Sequence, residues 1–358
     1  MSKEVKNKAS HKEKMRVHSA FKLFLGKIML PFALLLCINF NSIAQDPQFS
    51  QFYANPLYTN PAFAGSSTVG RVVSNVRNQW PSIAGTFRSG SFSFDEHYDA
   101  INGGFGTMAT YDEQGVGKLR TITANAIYAY QIPVTKNITI QAAIQAGFTQ
   151  KTIDMSSLNW FDQFEVQNGI VRNSKDAFAN ASPSVAYPNF SAGMIVYSKY
   201  FYAGLAAHNL TEPRQALLGT ANDSRWVMTQ ERRYTGHAGM VIPIIESRNI
   251  NHTSNLYPNI IYMQQGFASQ LNLGCYISRG QLIGGLYYRQ ITAGARNPEA
   301  FVILLGIRTQ KVKIGYSYDA TVSQASSGAP NSHEVSLAFE LKKRKYKKVV
   351  RPVRCPDF

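Results

Sequence analysis

The sequence predicts an all-β protein, a transmembrane antiparallel β-barrel of about 14 strands. Three observations carry that prediction. Segments of about ten residues alternate apolar and polar side chains along most of the chain. The connections between them are short at one end and long at the other. One basic and apolar leader precedes them all. Composition excludes the competing classes: of 358 residues, 12% are aromatic, 16% are charged and 26 are glycine. A disordered chain is poorer in aromatics and richer in charge, and a coiled coil does not hold so many glycines. A helical membrane protein of many spans needs several apolar runs of about 20 residues, and only one comparable run is present, near the N-terminus.

Residues 1–44 read as a secretory signal peptide. A basic stretch rich in lysine leads to an apolar core from Ile28 to Ile43, and Ser42-Ile43-Ala44 offers small residues before Gln45. Its alternative is a single membrane anchor. Cys37 follows Leu36 rather than a small residue, so the leader lacks the pattern of a lipoprotein. Without the leader, the formal net charge falls from +16 to +10. The tail 342–358 holds Lys342, Lys343, Arg344, Lys345, Lys347, Lys348, Arg351 and Arg354 against Asp357. The body between the two is close to neutral, so nucleic-acid binding is not expected. The basic tail reads as a periplasmic extension, either solvated or engaging a periplasmic partner. Two mature cysteines, Cys275 and Cys355, do not make a disulfide framework.

Residues 45–67 precede the strands. Phe49, Phe52 and Tyr53 make the segment too aromatic for a free tail, and Asn55-Pro56 and Asn60-Pro61 initiate turns. It is expected to pack against the barrel, either plugging it from inside or covering its periplasmic mouth. An ordinary linker is the alternative.

The barrel is expected over 68–341. Residues 138–149 show the period of two best: Ile138, Ile140, Ala142, Ile144, Ala146 and Phe148 share one face, with Thr139, Gln141, Gln145 and Thr149 on the other. The fourteen predicted strands are 68–80, 88–98, 103–112, 119–131, 138–150, 189–198, 200–209, 233–242, 257–265, 268–278, 281–290, 300–309, 312–323 and 333–341. With a periplasmic N-terminus, the inner connections 99–102, 132–137, 199, 279–280 and 310–311 are short. The outer ones include the two longest, 151–188 and 210–232, as outer-membrane barrels require. The other outer connections are 81–87, 113–118, 291–299 and 324–332, and the region around the ninth strand fits less well, with a long inner 243–256 and a short outer 266–267. Tyr128, Tyr130, Phe148, Tyr197, Tyr200, Phe201, Tyr202, Tyr287, Tyr288, Tyr316 and Tyr318 fall near strand ends, where interfacial girdles place rings. A soluble β-sandwich is the alternative. Arg88, Arg289, Arg308 and Glu334 are expected to face the lumen.

No catalytic or metal-binding spacing is present: there is no HExxH, CxxC, GxSxG or P-loop, and seven histidines are scattered. No enzymatic activity, metal or cofactor is therefore expected. In the long loops, Trp160, Phe161, Phe164 and Trp226 are candidate partner anchors, with packing onto the barrel rim as the alternative.

Several blocks resemble the PorP/SprF family of type IX secretion and gliding machinery. They are the 45–65 segment, Arg77-Asn78-Gln79-Trp80-Pro81, Tyr111-Asp112-Glu113-Gln114-Gly115 and Phe190-Ser191-Ala192-Gly193-Met194. Tyr202-Ala203-Gly204-Leu205, His208-Asn209-Leu210-Thr211-Glu212-Pro213, Ile314-Gly315-Tyr316-Ser317-Tyr318-Asp319 and Ser332-His333-Glu334-Val335-Ser336-Leu337 continue the likeness, as does the ending Cys355-Pro356-Asp357-Phe358. The resemblance implies a barrel in the outer membrane related to the fatty-acid-transporter type, with no catalytic residues. It implies a large secreted partner, such as a gliding adhesin, exported or held through a type IX C-terminal domain, and contact with other type IX components. A diffusion channel or hydrophobic-solute transporter is the competing function.

Overall fold

The computed structural model describes residues 46–341 except 68, 84, 86, 166–168, 171–172, 177, 180, 218–226, 246–252, 294 and 323–330. The leader, the basic tail and Trp226 lie outside the described residues.

Fourteen antiparallel strands close into a barrel. They are β1 (Arg71–Gln79), β2 (Phe87–Tyr98), β3 (Gly103–Gln114), β4 (Leu119–Pro133), β5 (Thr139–Thr152), β6 (Ser184–Tyr197) and β7 (Phe201–His208). The second half holds β8 (Arg233–Met240), β9 (Ser254–Gln265), β10 (Ala268–Arg279), β11 (Leu282–Ala293), β12 (Ala295–Arg308), β13 (Val312–Thr321) and β14 (Asn331–Glu340). Each pairs with its neighbours in sequence, and β1 closes on β14 from Arg71↔Glu340 to Gln79↔Ser332. Closure leaves no free edge, so every strand finds a partner for its backbone on both sides, the condition for a sheet to sit in hydrocarbon.

The period of two sets the two faces. Ile122, Ile144, Phe148, Leu286, Leu305 and Val335 point outward and stay exposed. Gln141, Gln145, Thr149, Ser317, Asp319, Glu334 and Ser336 alternate with such residues and are buried inside. An apolar outer band over a polar interior is the barrel arrangement for a bilayer.

Three expectations need correction. The 291–299 region is paired rather than looped: β11 and β12 continue to Ala293↔Ala295, with a register shift at Arg289/Gln290. Next, the long 243–256 connection is in part a continuation of β8, since Ile242–Ile245 pairs with the start of β9. Finally, Tyr197, Tyr202 and Tyr287 do not join the outer girdle. They occupy inward positions and are buried, because they fall on the opposite parity from Met194, Leu205 and Leu286. Arg88 shows the same effect in reverse. It shares the parity of the exposed Phe92 at the end of β2 and points outward, while Arg289, Arg308 and Glu334 are buried.

Both long connections lie at one end. Between β5 and β6 sit two short 3-10 turns, Met155–Ser157 and Phe161–Gln163, and a small pairing of Phe164–Glu165 with Gly169–Ile170. Between β7 and β8, Arg214–Ala216 pairs with Val227–Thr229 as a hairpin. This end is called the loop end below, and the other the turn end.

Candidate functional site

Residues 49–66 are buried along their whole length. Their partners come from strands all around the wall, so the segment lies in the lumen. Its local shape follows from the two Asn-Pro pairs. Pro56 and Pro61 open short helical turns, Pro56–Thr59 and Pro61–Phe63, at the position where a missing N–H costs nothing. The Asn60 side chain accepts from the N–H of Ala62 at 2.9 Å and fixes the second turn. The result is a compact thread rather than a strand.

The thread runs from the loop end to the turn end, and its contacts change character on the way. Asp46 sits at the loop end. Its N–H donates to Gln265 Oε1 at 2.9 Å, and its carboxylate accepts from Gln230 at 2.6 Å and pairs with Arg233 at 3.3 Å. Four residues further, Ser50 enters a charged cluster. Asp319 Oδ2 takes 2.8 Å bonds from both Arg77 and Arg289, and Ser50 Oγ donates to the same oxygen at 2.6 Å. Arg77 and Arg289 both donate to Ser50 Oγ in turn. Glu334 accepts the N–H groups of Ser50 and Gln51 at 2.6 and 3.2 Å. Gln51 donates to the Glu334 carbonyl at 2.9 Å and accepts from Ser336 at 2.6 Å. All four charged side chains are at most 2% exposed. Two arginines and two carboxylates balance, which is what lets the charge stay buried.

Below the cluster the contacts are aromatic. Tyr53 stacks on Tyr287 at 5.4 Å and 16°, and Phe52 meets the same ring edge-on. Asn60 Nδ2 reaches the carbonyls of Met194 and Leu205 at 3.2 and 3.1 Å and His237 Nε2 at 3.0 Å. Phe63 stacks on His237 at 5.3 Å. At the turn end the thread presses against backbone. A Cβ on Gly104 would sit 2.2 Å from the Ala64 carbonyl oxygen, so only glycine admits the thread here. Gln141 donates to that carbonyl at 2.6 Å, and Asp95 accepts from Gly65.

The loop-end hairpin is tied to the thread. Gln215, buried, donates to Tyr187 Oη and Gln230 Oε1 at 2.9 and 3.0 Å and accepts from Lys151 Nζ at 2.8 Å. Gln230 then holds Asp46. Arg233 lies 4.5 Å from the Tyr58 ring and donates to its hydroxyl, a cation–π contact that completes the chain from hairpin to thread.

The loop aromatics are placed quite differently. Phe161 is 96% exposed and Phe164 50%. Trp160 is half-buried, its Nε1 donating to the Met155 carbonyl. Asp162 holds the surrounding loop through Ser174 and the Lys175 N–H, both at 2.7 Å. A hydrogen bond from Ser156 keeps the neighbouring Asp154 carboxyl below the ordinary carboxylate range. The loop is thus built, and it presents Phe161 and Phe164 outward. Phe267, in the tight turn after β9, is 82% exposed at the same end.

Phe49, Phe52, Tyr53, Asn55, Pro56, Asn60 and Pro61 therefore meet in the lumen, while Trp160, Phe161 and Phe164 share a loop. The sequence reading overlooked Asp46, Ser50, Asp319, Gln215 and Arg233. A charge on the inward parity of a barrel strand, as at Asp319 and Arg77, is the signal that would have found the cluster, because each such charge demands a partner.

The outer wall carries an apolar recess of about 420 Å³ among Met194, Val196, Leu205, Ile260 and Tyr262. Gly204 and His237 also line it, and on the lumen side Asn60 Nδ2 bonds the Leu205 carbonyl and His237 Nε2.

A closed barrel with an apolar belt, long loops at one end and short turns at the other is an outer-membrane β-barrel protein. Residues 41–339 match the family described as type IX secretion system membrane protein PorP/SprF, and the chain belongs to that family. Among solved structures it is similar to the outer membrane protein Omp33 of Acinetobacter baumannii, with TM-score 0.44 and 8% identity over 77% of this chain and 100% of that one. It is also similar to the toluene transporter TbuX of Ralstonia pickettii, with TM-score 0.43 and 10% identity over 82% and 94%. A Pseudomonas aeruginosa FadL homologue gives TM-score 0.40 and 11% identity over 78% and 94%. No protein of curated description matches the sequence.

Proposed function

We propose that this outer-membrane component of type IX secretion binds a large secreted surface protein at its loop end, through that protein's C-terminal secretion domain, and helps export or anchor it. The observation that carries the reading is the exposure of Phe161 and Phe164 on one loop at the loop end, while the aromatic residues of 49–66 are buried inside the barrel. Large exposed rings on a built loop are costly in water and characteristic of partner surfaces. The burial of residues 49–66 among inward side chains supports a plug role for the thread and counts against free diffusion of solutes. The test is recovery of partners by the tagged protein from detergent-solubilised outer membranes, read by mass spectrometry. A large secreted protein in near-stoichiometric amount, lost with Phe161→Ser/Phe164→Ser, is expected. Equal recovery by that variant contradicts the reading.

One observation favours a second reading, a transporter of hydrophobic solutes. The outer recess at Met194 and Leu205 is apolar and backed by small residues, so it offers a hydrophobic ligand a place in the wall. Passage would require Asn60 to leave the Met194 and Leu205 carbonyls. Uptake of a labelled hydrophobic solute into vesicles, unchanged by Asn60→Ala, would count against it.

A further inference from the structure

We propose that the thread enters the barrel from outside: the leader is cut away just before Asp46, and the chain end this leaves lies at the loop end, on the outer face of the membrane. Long loops mark that end as the outer one. Asp46 is held there by Gln265, the last residue of β9, by Asn209, just after β7, and by Gln230 and Arg233, where β8 begins. The other extremity of the thread is at the turn end, where the Gly65 N–H donates to Asp95 at 2.9 Å and Gly65 lies against Gly104. From the same end the Leu341 N–H bonds the Gly70 carbonyl at 2.8 Å, and β1 starts at Arg71. The thread therefore crosses the wall once, ahead of β1, with its N-terminal side outward. This reverses the periplasmic N-terminus taken from the loop lengths, while every strand keeps its direction.

The outward start is fastened rather than loose. Besides the bonds of Asp46, the Pro47 carbonyl accepts from the Tyr58 hydroxyl, and Phe49 meets the Tyr58 ring edge-on at 4.9 Å. Tyr58 is in turn covered by Arg233 from the wall.

Chain length then decides between the two readings of the leader, a removable signal or a retained anchor. Ile43 ends its apolar core, and the three residues from there to Asp46 reach no more than about 11 Å. The hydrocarbon layer of one bilayer is already about 30 Å thick. A leader kept in the cytoplasmic membrane is thus incompatible with Asp46 seated at the outer mouth of the barrel. The cut falls between Ile43 and Asp46, where Ala44 supplies the small residue such sites use. The step is hydrolysis of one peptide bond: one water is consumed, the leader keeps a carboxylate and the mature chain gains an amine. It precedes closure of the barrel, because a seated thread holds that bond on the far side of the outer membrane from a peptidase in the cytoplasmic membrane.

The test uses the full chain in cells, with a short epitope inserted between Ala44 and Gln45. Antibody staining of intact cells, no stronger after the outer membrane is permeabilised, is expected. Staining that appears only after permeabilisation overturns the proposal. The N-terminal peptide of the untagged chain from outer membranes, read by mass spectrometry, is expected to begin at Ala44, Gln45 or Asp46, and a folded barrel that still carries its leader overturns it as well. If the epitope prevents folding, judged by heat-dependent gel migration, Gln48→Cys and Ser67→Cys decide in a Cys275→Ser/Cys355→Ser background. A membrane-impermeant maleimide on intact cells should label Gln48→Cys, near the outer mouth, before Ser67→Cys at the turn end. Equal or reversed order overturns the proposal.

Discussion

The luminal thread and the 151–188 loop are both short segments rich in aromatic side chains, and the molecule treats them in opposite ways. Phe49, Phe52, Tyr53 and Phe63 are no more than 6% exposed, while Phe161 is 96% exposed. The first group meets rings and charges projected inward from the strands, and the second is left open to solvent among the described residues. Aromatic content alone therefore does not separate a buried element from an exposed one. The parity of the neighbouring strands does, because only inward positions can supply the thread with partners.

The comparison breaks most readily at the charged cluster. Asp319→Ala leaves Arg77 and Arg289 facing each other without their shared carboxylate, and should destabilise the barrel by about 3–5 kcal/mol in urea unfolding from lipid vesicles. Little change would mean that the cluster does not hold the thread. Tyr53→Ala removes a buried ring stacked on Tyr287 and should cost about 3 kcal/mol by the same assay, with the rest of the thread still protected from protease. Gly104→Val should push Ala64 and Gly65 off the wall, so that protease cuts the thread from the turn end while the barrel survives. Intact protection would show that the close approach is not needed. Phe161→Ser should change stability by less than about 0.5 kcal/mol, because its ring touches little of its own chain. A large loss there would make the loop a structural element like the thread.

Much of the wall was legible in the sequence because a β-strand has only two faces, and a barrel keeps them distinct. Ile138–Phe148 and Val335–Phe339 declare the lipid face without any knowledge of pairing. Arg88, Tyr197, Tyr202 and Tyr287 depart from expectation because neither residue type nor closeness to a strand end sets a face; the strand's own alternation does. The paired 291–299 region was hidden because Asn297-Pro298-Glu299 reads as turn chemistry, and a ribbon extending past the barrel tolerates it. The thread's contacts were not legible at all. Ser50 and Asp319 are 269 positions apart, and nothing local in either stretch announces the other.

Residues 49–66 are buried inside the barrel, while the loop ring Phe161 is exposed. Cysteine labelling with a membrane-impermeant maleimide on intact cells tests it directly, in a background with Cys275→Ser and Cys355→Ser. Ala54→Cys, buried in the thread, should stay unlabelled until the barrel is unfolded, and Phe161→Cys should react at once. Equally rapid labelling of Ala54→Cys in the folded barrel would contradict the account, because the thread would then be open to solvent.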